Sequence, residues 1–366
     1  MIEKSTAAVL VSPNKPLEMR EFTVPKLGMK SVLVESRVTG ICGTDVHDWR
    51  GHTSLPYPVI LGHENVAEVI ELGQEVTTDS IGREVRRGDR VFWRNGKPCS
   101  HCYYCIVQKD FTSCVNRRPV SCSEFPYLVG GYAEYAYLSE RTYFLRIPDG
   151  VDDRSAIAFG CGGPTITKAL ELAGGIRPNE NVVVQGIGPV GLYAVLLARI
   201  SGAKNVIAIG APEVRLNMAR KLGANYTIDI VETKATTDRV AKVNEITEGR
   251  GADLTIEATG VPSAIPEGIE LTGMNGRYIM VGVYSDVGSV LINPTKLVRK
   301  NLRITGSKFS EPRHLYSMLE TIERVQRHFP ISEVVTHEFT LSESTKALEE
   351  VEKQNTVKAI LVPSRK

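Results

Sequence analysis

The sequence has little excess charge of either sign and no long apolar run. Its 44 basic and 42 acidic residues leave a formal charge of +2, so the composition indicates neither nucleic acid nor a membrane surface as a partner. The longest apolar stretches, residues 182–184 and 192–198, are too short to span a bilayer. Residues 1–6 lead into a short apolar run without the cleavage site of a signal peptide. These absences predict a soluble, cytoplasmic protein.

The chain of 366 residues is longer than one hydrophobic core usually supports, which predicts two domains. Up to about residue 146 the signals are short, strand-like and punctuated by glycine, as in residues 31–38, 66–70, 90–93 and 131–138. This pattern is typical of a mostly antiparallel β domain.

From about residue 163, strand-like and helical segments alternate. Strands are predicted at 181–185, 206–209, 254–258 and 278–283, and helices at 190–201 and 213–222. Such alternation predicts an α/β domain with a doubly wound parallel sheet. Beyond about residue 300 the pattern returns to short strands, with one helix at 341–354 and a final strand at 357–362. We therefore expect one β domain made of residues 1–162 and 300–366, with residues 163–299 inserted between its two parts.

A G-x-G-x-x-G motif, formed by Gly186, Gly188 and Gly191, lies between a predicted strand and a predicted helix. In this context the first glycine permits a tight turn, the second lets a pyrophosphate approach the backbone, and the third lets the helix pack on the strand. The helix N-terminus offers free N–H groups to the anion. The motif predicts a dinucleotide site, and the alternative is a glycine-rich turn that binds nothing.

The next strand ends at Gly210, where a site that prefers NAD usually carries an acidic residue for the ribose 2′-hydroxyl. Glycine removes that acceptor and the charge that repels a 2′-phosphate, and Arg215 follows five residues later. The sequence therefore favours NADP. If Glu213 contacts the ribose instead, the cofactor is NAD.

Four of the seven cysteines, Cys99, Cys102, Cys105 and Cys114, form a C-x2-C-x2-C-x8-C cluster. This spacing suits a closed tetrahedral site for structural zinc, and the alternatives are a redox C-x-x-C pair or an iron–sulfur site. We expect His101, inside the cluster, to be an exposed loop residue rather than a ligand.

A second set of possible ligands is spread along the chain. Cys42, His63, Glu64 and Cys161 lie in loops that border strands. Taken singly, each is better interpreted as a buried structural residue. Together they supply three ligands and an open position, the pattern of a catalytic zinc.

The segments GICGTD, GHE, the four-cysteine cluster, GIGPVG and GCGGPT resemble those of the zinc-containing medium-chain alcohol dehydrogenases over essentially the whole chain. The resemblance implies a GroES-like catalytic domain from both chain ends, with a Rossmann domain inserted in it. It also implies two zinc ions per chain and a homodimer or homotetramer. Cys42, His63 and Cys161 match the catalytic zinc ligands, and Glu64 is a neighbour that can reach the metal.

The resemblance also assigns roles around the metal. Thr44 and His47 match a relay that carries the substrate proton to solvent, and Asp45 matches the partner that orients a zinc-bound histidine. Thr165 and Val190 match residues that hold the nicotinamide ring, and Lys358 matches a basic residue near the cofactor phosphates. The implied reaction moves hydride between an alcohol, or the corresponding aldehyde or ketone, and NAD(P), through a zinc-bound alkoxide.

Two departures from the family pattern bear on these roles. The last spacing of the cysteine cluster is one residue longer than usual, so Cys122 could replace Cys114. Gly210 is the other departure and leaves the cofactor preference open. Cys161 stands where polyol and threonine dehydrogenases tend to carry Glu, which favours simple alcohols.

Three alternatives to this function remain. They are a polyol or amino-alcohol dehydrogenase with the same zinc chemistry, a dinucleotide-binding sensor or scaffold with structural zinc only, and a zinc-independent quinone reductase. Trp49, Trp93 and Asn95 are either pocket residues or core residues. The physiological substrate and the preferred direction of reaction do not follow from the sequence.

Overall fold

The computed structural model describes residues 2–117, 121–283 and 288–363. The strands are β1 Lys4–Leu10, β2 Glu18–Thr23, β3 Val32–Ile41, β4 Val59–Ile60, β5 Asn65–Leu72, β6 Arg90–Asn95, β7 Tyr135–Leu138, β8 Thr142–Arg146, β9 Asn181–Gln185, β10 Asn205–Gly210, β11 Tyr226–Asp229, β12 Ala252–Glu257, β13 Thr272–Met280, β14 Arg303–Gly306, β15 Val335–Thr340 and β16 Lys358–Val362. The helices are α1 Gly43–Arg50, α2 Tyr103–Ile106, α3 Asp153–Ala158, α4 Gly162–Leu172, α5 Pro189–Ile200, α6 Glu213–Lys221, α7 Thr236–Ile246, α8 Ala264–Leu271, α9 Pro294–Lys300, α10 Pro312–Val325 and α11 Ser344–Glu352. Among the described residues, no helix combines the length and apolar character that crossing a bilayer requires.

The chain divides into two compact units. The first, the catalytic unit, comprises Met1–Cys161, Leu319–Gln326 and Val335–Lys366, and the second, the dinucleotide unit, comprises Gly162–Met318 and Arg327–Val334. Helix α10 therefore contributes residues to both.

The catalytic unit is built mainly from antiparallel strands. One sheet has the order β15-β16-β3-β5-β6-β8, with β7 also paired to β3, and a smaller sheet has the order β2-β1-β4. The last strand, β16, pairs antiparallel with β3, so that Ala359 lies opposite Ile41. This pairing of the two chain ends confirms the predicted insertion of the α/β segment within the β domain.

The dinucleotide unit contains a parallel sheet of order β11-β10-β9-β12-β13-β14. All of β9 and β10 is buried, as expected for central strands that helices cover on both faces. The order reverses at β9, and the crevice at such a reversal, beyond the carboxyl ends of the strands, is where doubly wound sheets bind ligands. The glycine motif follows β9 directly and is therefore placed at this crevice.

The predicted boundary near residue 300 is wrong. Strand β14 joins the parallel sheet, with Arg303 opposite Arg277 of β13, so that residues 300–318 and 327–334 belong to the dinucleotide unit rather than to the catalytic unit. The physical reason is that β14 is a short edge strand with three of its four residues exposed. It therefore lacks the apolar run that marks the central strands.

Candidate active site and metal centres

Helix α1 brings the first ligand and its neighbours together. Cys42 is the N-cap of this helix, and its backbone N–H donates to Asp45 Oδ2 at 2.8 Å. The other oxygen of the buried Asp45 carboxylate lies 3.3 Å from His63 Nδ1. One carboxylate thus caps the helix and orients the imidazole. Because Nδ1 is engaged with Asp45, Nε2 is the nitrogen of His63 that is free to bind a metal.

The four predicted ligands of the catalytic site meet in the catalytic unit. One ligand atom each from Cys42, His63, Glu64 and Cys161 lie within 4.8 Å of one another. Two thiols, an imidazole and a carboxylate form a donor set that suits zinc. The residues present therefore fit the metal that the sequence predicts.

The thiols of Cys42 and Cys161 are coupled through a hydrogen bond. This bond raises the pKa of Cys42 and lowers the pKa of Cys161 well below its ordinary value, and His63 lowers the pKa of Cys161 further. The hydrogen bond therefore favours a thiolate on Cys161 over one on Cys42. A bound cation would deprotonate the second thiol as well.

Glu64 forms a buried ion pair with Lys358 of β16. Both side chains are 1% exposed, and Lys358 Nζ also donates to the carbonyl oxygen of Ile41 at 3.1 Å. Gly40 leaves the necessary space, because a Cβ there would lie 3.0 Å from Lys358 Nζ and would overlap Glu64 Oε2. The predicted role of Lys358 near the cofactor phosphates does not match this placement, since its ammonium is buried and held by a carboxylate.

The predicted relay residues lie along α1. Thr44 Oγ1 is 3.8 Å from Cys42 Sγ, and both Thr44 and His47 are half-buried. His47 Nδ1 lies 3.1 Å from Nδ1 of the exposed His52. Sequence reasoning missed His52, although Gly51 directly after α1 could have indicated that the chain turns back on the helix end.

The four-cysteine lobe, residues 99–114, brings its thiols together in a second cluster. One sulfur atom each from Cys99, Cys102, Cys105 and Cys114 lie within 4.8 Å of one another. Cys99 Sγ accepts a hydrogen bond from Asn116 Nδ2 at 3.3 Å. The backbone N–H of His101, with smaller contributions from Asn116 and other donors, lowers the pKa of Cys99 to about 5. Four sulfur donors with one thiolate already favoured suit a closed zinc site.

Two residues near this lobe lie outside the sulfur cluster. His101 Nδ1 is 2.7 Å from the carbonyl oxygen of Cys99, and the side chain is exposed. Cys122 is buried in an apolar core, where its thiol donates to the carbonyl oxygen of Pro58 at 3.3 Å. Cys114 therefore occupies the fourth position, in spite of the longer spacing.

The glycine motif of the dinucleotide unit leaves open space beside its backbone. Gly186 has φ +88° and donates its N–H to the carbonyl oxygen of Ile209 at 2.8 Å, and a Cβ on Gly191 would overlap the carbonyl oxygen of Gly186. A Cβ on Gly188, in contrast, would meet no atom within 4 Å. Space is thus open only at the second glycine, where a pyrophosphate has to approach.

The residues predicted to hold the nicotinamide ring lie on neighbouring helices of this unit. Thr165 belongs to α4 and Val190 to α5, and both are half-buried. The helices approach closely because α4 begins with Gly162, where a Cβ would lie 2.8 Å from the backbone nitrogen of Val190.

Gly210, at the end of β10, is packed against the glycine motif. A Cβ there would overlap Ile187 Cγ1 and lie 3.0 Å from Ile187 Cδ1, so an acidic residue would require Ile187 to move. Glu213 is exposed and paired with Arg220 at 2.7 Å. Arg215 is half-buried, and burial lowers its pKa.

Two of the three pocket candidates, Trp49 and Trp93, lie in apolar cores, and the third, Asn95, is half-buried. Trp49 is buried in one apolar core and donates Nε1–H to the carbonyl oxygen of Lys15 at 2.8 Å, and Trp93 is completely buried in another. Asn95 accepts a hydrogen bond from the hydroxyl of Thr142 at 3.1 Å.

Sequence reasoning missed Arg94, which strand alternation could have found. In β6 the side chains of Trp93 and Arg94 point to opposite faces. The pKa of Arg94 is raised, since Tyr143, Cys161 and Glu64 outweigh the opposing effect of its burial. A permanent positive charge therefore lies near the ligand cluster.

Comparisons with known proteins identify the family of the chain. The family described as "Alcohol dehydrogenase GroES-like domain" matches residues 28–149, and that described as "Zinc-binding dehydrogenase" matches residues 189–324. A 5-exo-hydroxycamphor dehydrogenase of Pseudomonas putida is 37% identical over 98% of this chain and 99% of its own length. A sorbitol dehydrogenase of Halalkalibacterium halodurans is 31% identical over 94% of this chain and 95% of its own length. The crystal structure of an alcohol dehydrogenase from Thermotoga maritima superposes with a TM-score of 0.93 and 35% identity, over 99% of this chain and all of that one.

Proposed function

Since the chain belongs to the zinc-containing medium-chain dehydrogenase/reductase family, in its alcohol dehydrogenase branch, we propose that it interconverts a simple alcohol and its aldehyde or ketone, with two zinc ions per chain and a preference for NADP. The coarser activity is that of the family, NAD(P)-dependent oxidoreduction of an alcohol. The observation that carries the finer proposal is the convergence of Cys42, His63, Glu64 and Cys161 within 4.8 Å.

Residues around the metal site have distinct proposed roles. Zinc bound in this cluster supplies a Lewis acid that lowers the pKa of a substrate hydroxyl. Asp45 keeps the imidazole of His63 in the orientation and tautomer that bind a metal, and Lys358 balances the charge of Glu64. Thr44 takes up the hydroxyl proton and passes it to His47, which acts as a general base.

Cys161 supports a simple alcohol as the substrate, because related polyol and threonine dehydrogenases tend to carry Glu at this position. The relative with 37% identity is named for hydroxycamphor, which makes that alcohol the first member of a substrate panel. A polyol or amino alcohol is the second candidate, favoured by relatives named sorbitol dehydrogenase and L-threonine 3-dehydrogenase.

The decisive experiment counts zinc per chain and measures turnover of hydroxycamphor, a primary alcohol, sorbitol and threonine. We expect two zinc ions in the wild-type protein, and one zinc ion and no turnover in Cys42→Ala. Cys122→Ala is the matched control, because its thiol lies in an apolar core, and it should keep both zinc ions. One zinc ion in all three proteins without turnover would favour the scaffold. A preference for sorbitol or threonine would favour the second substrate class.

The preference for NADP has its support in the residues around Gly210. The steric contact with Ile187 keeps an acidic side chain away from the end of β10, and Glu213 is paired with Arg220. Arg215 is thus the charged candidate for a 2′-phosphate.

Substitution of this arginine tests the cofactor preference. In Arg215→Ala we expect kcat/KM for NADP to fall by about tenfold or more, with little change for NAD, since a hydrogen bond to a charged group contributes about 1.5–3 kcal/mol. Lys221→Ala is the control from the same helix and should change neither value, because its ammonium pairs with Glu333 and not with Glu213. Equal loss with both cofactors would contradict a 2′-phosphate contact. The homodimer or homotetramer stays a prediction that analytical ultracentrifugation would test.

A further inference from the structure

We infer that His52 is the outlet of the proton relay and that its Nδ1 accepts the proton that His47 releases. The inference rests on the proposed alcohol oxidation and on the relay through Thr44 and His47. It adds a second histidine, which acts through the first and touches neither the substrate nor the cofactor.

The end of helix α1 holds the two histidines together. Gly51, the C-cap of the helix, has φ 75° and ψ 21°, a left-handed conformation that favours glycine. The chain therefore turns back, and the backbone N–H of His52 donates to the carbonyl oxygen of His47 at 2.9 Å. A side chain at position 51 is also excluded sterically, because a Cβ there would lie 2.8 Å from Cβ of Pro13.

The side chains follow this backbone geometry. Their Nδ1 atoms are 3.1 Å apart and their ring centroids are 5.4 Å apart. A backbone hydrogen bond, a left-handed glycine and a ring contact thus converge on one pair of imidazoles. The helix C-cap therefore holds the backbone of His52 beside His47.

The pairing restricts where the protons can lie. A single hydrogen atom fits between two Nδ1 atoms at this distance, so that one ring donates and the other accepts. When His47 donates, its Nε2 is unprotonated and can take up a proton from the relay. When His52 donates, Nε2 of His47 already carries a hydrogen and cannot accept. Only the first arrangement makes His47 a base.

In that arrangement the histidine pair takes up one proton at His47 and releases another from His52. His47 accepts a proton at Nε2 and releases the proton on its Nδ1 to Nδ1 of His52. His52 then gives the proton on its own Nε2 to water. Each ring ends neutral with its hydrogen on the other nitrogen, and the tautomers reset by exchange with solvent before the next turnover. The reduction of a carbonyl runs the same path inward.

The surroundings of the two histidines favour transfer of the proton from His47 toward solvent. Burial lowers the pKa of His47, and the neighbouring His52 lowers it further, against an opposite effect of Cys42. His52 is exposed and lies within electrostatic range of Glu352 of α11, whose carboxylate is bound by Arg50 at 2.7 Å. The lowered pKa of His47 therefore favours release of the proton by this ring.

The test compares His52→Gln with His47→Gln and with the control His328→Gln, an exposed histidine of the dinucleotide unit. Glutamine can accept the hydrogen bond from His47 but cannot pass a proton on. We measure kcat/KM for alcohol oxidation from pH 6 to 9, its solvent deuterium isotope effect, and the effect of added imidazole. In His52→Gln we expect a loss of about tenfold, smaller than the 10²–10⁴-fold that a general base itself contributes, because His47 is retained. We also expect a larger isotope effect and recovery with imidazole. The control should match the wild type.

The possible outcomes separate the inference from the function on which it rests. Loss in His47→Gln together with wild-type behaviour of His52→Gln would overturn the inference and leave the relay intact. Loss in His52→Gln without a change in isotope effect or rescue would mean that the residue is only structural, which also overturns it. Wild-type activity of His47→Gln would refute the proposed relay itself. If His52→Gln loses zinc, His52→Asn replaces it and the same readouts apply.

Discussion

The buried ion pair between Glu64 and Lys358 gives the sharpest prediction. In Lys358→Met the ammonium is replaced by an apolar side chain of similar length, and the carboxylate of Glu64 is left buried at 1% exposure without its partner. Breaking a buried pair from one side costs about 3–5 kcal/mol, because an uncompensated charge remains in the interior. The carbonyl oxygen of Ile41 also loses its donor. We therefore expect the free energy of unfolding to fall by at least about 3 kcal/mol.

Urea denaturation of the zinc-free protein measures this loss, because zinc bound beside Glu64 would itself compensate the charge of the carboxylate. The matched control is Lys353→Met, because Lys353 forms a surface pair with Glu350 and its side chain is 58% exposed. That pair should contribute less than about 1 kcal/mol. The double variant Glu64→Gln with Lys358→Met removes both charges and should recover much of the loss. A Lys358→Met protein within about 1 kcal/mol of the wild type, with weakened cofactor binding instead, would refute the argument and favour the phosphate role that the resemblance implied.

Three further predictions concern other parts of the molecule. Cys114→Ser should lower the zinc content from two to one per chain and reduce the midpoint of thermal unfolding, whereas an unchanged count would exclude Cys114 as a ligand. Gly131→Ala should destabilise the protein by about 1–3 kcal/mol in urea, because the new Cβ would overlap Asn65 Oδ1. Burial lowers the pKa of His314, in spite of its hydrogen bond with Glu171. The unfolded chain, with an ordinary histidine pKa of about 6.5, therefore binds a proton more readily than the folded one, so that stability should fall between pH 7 and pH 5. His314→Gln should show a smaller fall, and an identical pH profile would contradict this reasoning.

Much of the fold follows from local pattern. Strand β9 was predicted with its observed bounds, Asn181–Gln185, because a fully buried central strand is a continuous apolar run between turn signals. Strand β14 was assigned to the wrong unit, because an exposed edge strand of four residues carries no such signal. The apolar pattern of the sequence therefore predicts the central strands of the parallel sheet but not its edge strand β14.

The candidate site divides in a similar way. Ligands in tight local motifs, such as Cys42 and His63, could be found from spacing and residue type. The partner of Glu64 could not, because Lys358 is 294 residues away and reaches it only when β16 pairs with β3. Gly210 is a third case. From the sequence, the missing side chain is interpreted as a sign of cofactor preference. The structure adds a steric reason, because a Cβ at this position would overlap Ile187.

The pairing of β16 with β3 has a consequence for biosynthesis. On the ribosome, the strands up to β8 emerge first, and the whole dinucleotide unit follows before residue 358 leaves the exit tunnel. Until then the sheet that bears the metal ligands lacks β16, and Glu64 has no ammonium beside it. The catalytic unit can therefore close only after residue 358 has left the ribosome, whereas the inserted unit can fold earlier, as domains generally do. A truncation just before β16 should yield a dinucleotide unit that folds next to an unfinished metal site.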